Sequence, residues 1–258
     1  MEMRFEKSGF NQRLRSMLKV DFRRMFKTPF FYIMAGICLA IPILTLVMTT
    51  MMGGGGDAAA MGTFTSVWQV IGSESGAAMA MDMTGMCNIN MMYFLSAVLV
   101  CVFVAEDFRS GYAKNLFTVR SKKGDYVVSK TIVCFIACAG LLLSYFVGAM
   151  IGGAIAGLPF EPGAAGIPGI VMCMLAKVFL MAVFVGIYLI LSAVGKSRTW
   201  LSLIGSFVAG MLMFMMIPMM TPIDATIMHV ILCLAGGVLF SAGLGVVSCK
   251  LLSKSSLA

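Results

Sequence analysis

Six long apolar stretches constrain the fold of this 258-residue chain more than any other feature. A helix that crosses the hydrocarbon core, which is about 30 Å thick, needs roughly 20 mostly apolar residues. Unpaired backbone groups are too costly in lipid, so each stretch is predicted to be helical. The predicted spans are residues 30–52, 85–105, 131–157, 169–194, 200–220 and 227–249.

The composition agrees with a membrane protein and excludes a soluble enzyme domain. The chain is 60% hydrophobic and only 12% charged, whereas soluble domains are about 45–50% apolar and about 25% charged. We therefore expect an all-α, polytopic membrane bundle that forms one transmembrane domain over residues 1–258.

The basic residues predict which side of the membrane each loop faces. Segments 1–29, 106–130, 195–199 and 250–258 hold eight, six, two and two of the 19 Lys and Arg residues, and Lys177 is the remaining one. Because Lys and Arg concentrate in cytoplasmic loops, both termini are predicted to be cytoplasmic. This sidedness accounts for the net charge of +8, so no nucleic acid partner is expected.

Residues 1–29 contain a basic amphipathic pattern. Its apolar residues recur at spacings of three and four, which indicates a helix lying on the inner leaflet, in contact with membrane lipid. The other interpretation is a positive flank that only sets topology. Thr28-Pro29 should end this helix, because proline disfavours helical geometry in the residue before it. The apolar residues are Phe10, Leu14, Met17, Leu18, Phe22, Met25 and Phe26.

Small residues inside two spans predict close helix packing. Gly148, Gly152 and Ala156 stand four residues apart, and so do Gly237, Ser241 and Gly245. Such spacing lets two helix backbones approach each other in a membrane. It predicts a bundle without saying which helices pair.

The long cytoplasmic loop 106–130 mixes charges with aromatic residues. Phe108, Tyr112 and Leu116 are spaced by four, so one face of a short helix would carry an apolar stripe. Such a helix could dock into a groove on a soluble partner. It could equally bury the stripe in the lipid interface. Periodicity alone does not decide between the two.

The order of these features resembles the membrane subunits of type 2 ATP-binding cassette (ABC) exporters. The similarity covers nearly the whole chain in topology, and it is greatest to small six-span permeases that export, or give immunity to, antimicrobial peptides. It depends on an acid that ends the second span and on a set of residues in the following loop. These residues are Glu106, Gly111, Lys114, Leu116, Arg120, Tyr126 and Lys130.

The resemblance implies how the chain would work. The N-terminal helix and the loop 106–130 would contact an ATPase, with Glu106, Phe108, Gly111, Tyr112, Lys114, Leu116 and Arg120 coupling the two proteins. Two copies of an ABC ATPase and a second permease chain, identical or homologous, are the implied partners in the cytoplasmic membrane. The expected cargo is amphiphilic, with antimicrobial or other peptides foremost and drugs or lipids as alternatives.

No nucleotide site is expected in the chain itself. Gly195-Lys196-Ser197 resembles the end of a phosphate-binding loop, but the glycine that should precede it falls at Ile190. The tripeptide also connects two spans, where a phosphate loop would join a strand to a helix. The chain is therefore predicted to be a transport subunit, with ATP and Mg bound by the partner ATPase.

Lys177 is the one basic residue within the apolar bulk. A charge at mid-membrane costs about 2.5–3.5 kcal/mol on insertion scales. Since Lys177 lies toward the outer end of its span, its side chain could snorkel to the interface. The alternative is a role in cargo binding or an ion pair, for which Glu161 is the candidate partner.

Four methionines in the outer loop suggest a rival function. Met79, Met81, Met83 and Met86 cluster there, and thioether sulfur is a soft ligand suited to monovalent copper. A methionine-rich copper-handling membrane protein is therefore the alternative. Methionine is also frequent within the spans, where it serves as an adaptable apolar side chain. No other metal site is expected.

Overall fold

The computed structural model describes residues 10–52, 64, 66–73, 88–118, 123–161, 163, 166–196, 198–214 and 216–254. Within these ranges the regular structure is helical. Nine α-helices are described: α1 (Phe10–Lys27), α2 (Pro29–Met52), α3 (Met91–Arg109), α4 (Tyr112–Thr118), α5 (Lys123–Ala156), α6 (Gly166–Gly195), α7 (Thr199–Phe214), α8 (Met216–Met220) and α9 (Ile227–Lys254). A short 3-10 helix, Val67–Val70, lies between α2 and α3.

The predicted helical membrane bundle is confirmed. Helices α2, α3, α5, α6 and α9 are long and apolar enough to cross a membrane. The predicted span 200–220 corresponds to α7 and α8, which lie on either side of residue 215, itself outside the described residues. Helix α5 begins at Lys123, earlier than predicted, because the second half of the loop 106–130 continues the helix.

Helices α3, α5 and α6 form the centre of the bundle. Tyr93 and Phe184 pack with their ring centroids 4.6 Å apart, and Tyr145 and Tyr188 are fully buried beside them. Helices α2, α7 and α9 lie outside this centre and expose many large apolar side chains. In a membrane protein such surfaces are covered by lipid or by another transmembrane chain.

Small residues bring neighbouring helices together, as their spacing predicts. A Cβ atom added at Gly152 would lie 2.8 Å from Ile43 Cα, and one at Gly148 would meet the carbonyl oxygen of Leu39. These contacts place α5 directly against the backbone of α2. On the other side of the bundle, Ser241 Oγ donates a hydrogen bond of 3.0 Å to the carbonyl oxygen of Ala182, which joins α9 to α6.

The predicted break at Thr28-Pro29 separates α1 from α2. Thr28 Oγ1 and the Thr28 backbone N–H both donate to the carbonyl oxygen of Arg24, at 2.7 and 3.2 Å. Helix α1 itself is confirmed, but Met17, Asp21 and Met25 are buried in the protein. The face that was expected to lie on lipid therefore packs on the bundle, mainly on α5.

Candidate functional site

A buried network of charges joins three helices at the end of the bundle that is predicted to be cytoplasmic. Asp107, near the end of α3, accepts hydrogen bonds from Arg24 of α1 at 2.6 Å and from Tyr126 of α5 at 2.8 Å. Lys130 of α5 forms an ion pair with the same carboxylate at 2.7 Å. The Asp107 side chain is fully buried and has three donors around its two oxygens. This arrangement compensates the charge in the low-dielectric interior.

Asp21 supplies the second carboxylate of the network. Its Oδ1 atom lies 2.8 Å from Lys130 Nζ, and its Oδ2 atom accepts a hydrogen bond of 2.6 Å from Ser129. Lys130 therefore bridges Asp21 of α1 and Asp107 of α3, and all three side chains are buried. We call Asp21, Arg24, Asp107, Tyr126, Ser129 and Lys130 the buried charge cluster.

Two further contacts hold α1 in place. Arg13 Nε lies 3.0 Å from Asp125 Oδ2, near the start of α5. The Arg24 guanidinium lies 4.2 Å from the centre of the Tyr112 ring, within the range of a cation–π contact. Burial, together with the carboxylates of Asp21 and Asp107, raises the pKa of the Tyr112 phenol. The ring therefore stays uncharged at neutral pH and packs against the cation.

The prediction that Phe108, Tyr112 and Leu116 lie on one short helix is wrong. Phe108 belongs to α3, which ends at Arg109. Gly111 has a φ of +71°, which is not helical, and a separate helix, α4, begins at Tyr112. A left-handed φ is costly for residues that have a Cβ atom, so glycine suits this break. The stripe is thus divided between two helices that meet at an angle.

The apolar side chains of this segment face inward. Leu116 and Phe108 both pack against a cluster of buried residues that includes Met17, Tyr126 and Leu252. Helices α1, α5 and α9 of the same chain contribute these buried residues, while Phe108, Tyr112 and Leu116 stay partly exposed. The exposed side chains of the segment are polar: Glu106, Arg109, Ser110, Lys114, Asn115 and Thr118.

We call these six residues the exposed polar face. Of the residues predicted to couple to an ATPase, Glu106 and Lys114 lie on it, whereas Phe108, Tyr112 and Leu116 lie beneath it and Gly111 sets the angle between α3 and α4. Arg120 lies outside the described residues. The structure thus places the predicted residues in one segment, with charged members outside and apolar members inside.

Lys177 does not snorkel to the interface. Its side chain is fully buried in the chain, and its Nζ atom donates to Asn90 Oδ1 and Thr221 Oγ1, each at 2.9 Å. Oxygen atoms at the start of α3 and after α8 therefore replace the interfacial water. The proposed partner Glu161 is exposed, and in the described part of the chain no ion pair joins it to Lys177.

The possible copper ligands Met79, Met81, Met83 and Met86 lie outside the described residues. Among the residues that the structure does describe, no group of three or more His, Cys, Asp or Glu side chains is placed to hold a metal ion. The cysteines within those residues are free, and all but Cys249 are buried.

Comparison with known proteins identifies the family. The family model described as "ABC-2 family transporter protein" matches residues 17–213, which is most of the chain. The chain belongs to the ABC-2 transporter family. No curated protein and no solved structure gave a significant match. The match runs from α1 to α7, so it includes the buried charge cluster and the exposed polar face of this ABC-2 permease.

Membership of the family gives the permease its general role. ABC-2 membrane proteins are the transport subunits of transporters whose ATPase is a separate subunit, and an ABC ATPase partner is therefore implied. The helices and the family together indicate a multi-pass membrane protein. Helices α1, α3, α4 and α5 meet at the end of the permease that is predicted to be cytoplasmic.

The sequence analysis missed the most buried part of the permease's site, although a signal was present. Asp21 lies four residues after Met17 and four before Met25, and all three are buried on one face of α1. A carboxylate in an apolar helix face requires a cationic partner. The four-residue spacing of Asp21 from Met17 and Met25 could have predicted that Asp21 forms a buried ion pair. The spacing could not identify Lys130 as the partner, because Lys130 is far away in the sequence.

Proposed function

We propose that this chain is the permease subunit of an ATP-driven exporter in the cytoplasmic membrane, and that the loop 106–130 couples it to the ATPase. The observation that carries this proposal is the buried charge cluster beneath the exposed polar face. The cluster connects the surface where an ATPase would dock to the helices that would have to move.

Helix α4 contacts the membrane helices on its inner side. Its inner side packs on α1, α5 and α9 through Leu116 and the neighbouring buried residues, and the Tyr112 ring contacts Arg24 of α1. Arg24 in turn binds Asp107 of α3. A force applied to α4 is therefore transmitted to α1 and α3 through direct contacts.

The buried charge cluster makes these helices move together. Breaking a buried ion pair costs about 3–5 kcal/mol when one partner is left uncompensated, far above thermal energy. Separating α1, α3 and α5 at their cytoplasmic ends would expose Asp21, Asp107 and Lys130 at once. We therefore propose that the four helices α1, α3, α4 and α5 respond to the ATPase as one body.

The ATPase would contact the exposed polar face. Glu106, Arg109 and Lys114 offer charges of both signs there, which suits electrostatic matching with a soluble partner. ATP and Mg would be bound by two copies of the ATPase, and a second permease chain, identical or homologous, would complete the membrane part. Nucleotide binding to the ATPase would then shift the equilibrium between an inward-facing and an outward-facing packing of the helices.

The proposed cargo is amphiphilic, with antimicrobial or other peptides as the main class and drugs or lipids as the alternatives. The support is the membrane-embedded character of the chain and its wide apolar surface on α2, α7 and α9. A cargo that partitions into the membrane can approach these helices laterally. Methionine side chains along the spans could adapt to cargo of varied shape.

The experiment compares cells that lack the gene with cells that carry it. We expect the deletion to increase sensitivity to membrane-active peptides and the wild-type gene to restore resistance. A gene with Met79, Met81, Met83 and Met86 replaced by Leu should restore it equally well. Unchanged peptide resistance in the deletion strain, together with copper sensitivity of the methionine variant, would favour the copper-handling alternative.

A further inference from the structure

The outer ends of three elements meet around one buried amine. Lys177 lies within α6, and its Nζ atom donates hydrogen bonds of 2.9 Å to Asn90 Oδ1 and to Thr221 Oγ1. Asn90 immediately precedes α3, and Thr221 immediately follows α8. Lys177 is 0% exposed, and Asn90 and Thr221 are each 1% exposed.

The side chains that accept hydrogen bonds from this amine are neutral. Tyr93 OH donates to the carbonyl oxygen of Lys177 at 2.9 Å, and Tyr188 OH donates to the carbonyl oxygen of Tyr93 at 3.0 Å. Cys173, one turn before Lys177, donates through its thiol to the carbonyl oxygen of Thr221. These contacts position Lys177 firmly, but an amide, hydroxyls and a thiol supply no negative charge.

Among the described residues no ion pair to Lys177 occurs, and its Nζ atom contacts only neutral oxygens. An ammonium has three N–H donors, and neutral oxygens take two of them. In an apolar interior, hydrogen bonds to neutral groups offset only part of the cost of removing a cation from water. The cytoplasmic Lys130 differs in this respect, since two carboxylates surround it.

The burial of Lys177 within a membrane helix limits which anions could reach it. The predicted outer loops contain no Lys or Arg. Lys177 is therefore the cationic side chain that an anionic group could bind within the outer half of the bundle. Soluble anions are excluded from an apolar interior by their hydration. An anion attached to an apolar tail can enter laterally between helices.

We infer that Lys177 binds the anionic headgroup of an amphiphile, through a carboxylate or phosphate oxygen. The inference rests on the proposed function and deepens it by naming the charge of the cargo. In this structure Asn90 and Thr221 occupy two donors of the amine. Movement of α3 or α8 away from α6 would free one of them for the headgroup, which would then supply the missing negative charge.

The test uses the full-length chain purified in the neutral detergent dodecyl maltoside, with dodecanoate as the probe and 1-dodecanol as the uncharged probe of equal chain length. Thermal unfolding measured over a range of probe concentrations gives the binding strength. Wild type should be stabilised by dodecanoate more than by dodecanol. Lys177→Met should bind dodecanoate about tenfold more weakly, the loss expected for one charge-assisted hydrogen bond.

Two further variants control the measurement. Lys177→Arg keeps the cation and should retain selectivity for dodecanoate. Lys250→Met makes the same change at an exposed cytoplasmic lysine and should behave as wild type. If Lys177→Met does not fold, wild type still decides the matter, because equal stabilisation by dodecanoate and dodecanol overturns the inference. Equal dodecanoate binding by Lys177→Met and wild type also overturns it.

Repeating the titration with dodecyl phosphate, and in vesicles of phosphatidylcholine with and without phosphatidylglycerol, identifies the source of the anion. Stabilisation by phosphatidylglycerol that depends on Lys177 supports the anion site and assigns it to a lipid headgroup. Stabilisation by dodecanoate alone supports the site and assigns it to a carboxylate cargo. No ATP or ATPase is present, so a failure here is separate from a failure of ATPase coupling or peptide resistance.

Discussion

Lys130 Nζ lies 2.7 Å from Asp107 Oδ2, and the two residues, one on α5 and one on α3, have buried side chains. Lys130 also binds Asp21 of α1, so a single amine holds three helices together at one end of the bundle. In the proposed function this is the cytoplasmic end, and the pair would lie between the surface where the ATPase docks and the helices that cross the membrane.

Replacing Asp107 should destabilise the permease strongly. Asp107→Asn keeps the shape of the side chain but removes the charge that faces Arg24 and Lys130, and we expect a loss of about 3 kcal/mol. Thermal unfolding of the purified permease in detergent would measure it. The adjacent Glu106→Gln is the matched control, because Glu106 is exposed and should change stability by about 0.5 kcal/mol or less. Similar losses for both variants would contradict a special role for the buried carboxylate.

Two glycine-to-alanine changes in neighbouring helices should affect stability differently. Gly148→Ala places a methyl group against the backbone of Leu39, whereas a Cβ atom at Gly36 of α2 would contact nothing within 4 Å. We expect Gly148→Ala to cost about 1–3 kcal/mol through overpacking. Gly36→Ala should be neutral or stabilise the helix by up to about 1 kcal/mol. Unfolding midpoints test both, and a harmless Gly148→Ala would show that α2 and α5 are not in direct backbone contact.

The angle between α3 and α4 should depend on Gly111. Its φ of +71° costs about 1–2 kcal/mol for a residue with a Cβ atom, and less for asparagine. Gly111→Ala should therefore reduce cargo-stimulated ATP hydrolysis of the assembled transporter more than Gly111→Asn does. Equal activity of the two variants would mean that the coupling segment does not require this bend.

The sequence predicted the membrane helices well because hydropathy reports directly on lipid contact. Pro29 and Ile227 begin helices close to the predicted residues, and Gly148 and Gly152 pack on α2 as their spacing suggests. The failures have a common cause. Four-residue spacing assumes an unbroken helix, so the stripe from Phe108 to Leu116 could not reveal the bend at Gly111.

Long-range pairing also limited what the sequence could show. Asp21 and Lys130 are 109 positions apart, and only the packing of α1 on α5 brings them together. The Lys177 side chain was expected to reach interfacial water, because the remaining residues of its span would still be long enough to cross the membrane. The structure instead supplies oxygen atoms from Asn90 and Thr221, which are 87 and 44 positions away from Lys177 and could not be paired with it from hydropathy.

Co-purification of the ATPase with charge-reversed permeases tests whether the ATPase docks on the segment from Glu106 to Thr118. Lys114→Glu alters the exposed polar face, and Lys250→Glu makes the same change at an exposed residue near the cytoplasmic end of α9. We predict that Lys114→Glu lowers the amount of ATPase recovered per permease and the cargo-stimulated ATP hydrolysis, because like charges are then brought together or a favourable pair is lost. Lys250→Glu should retain both. Equal recovery of the ATPase with the two variants would contradict coupling through the segment from Glu106 to Thr118.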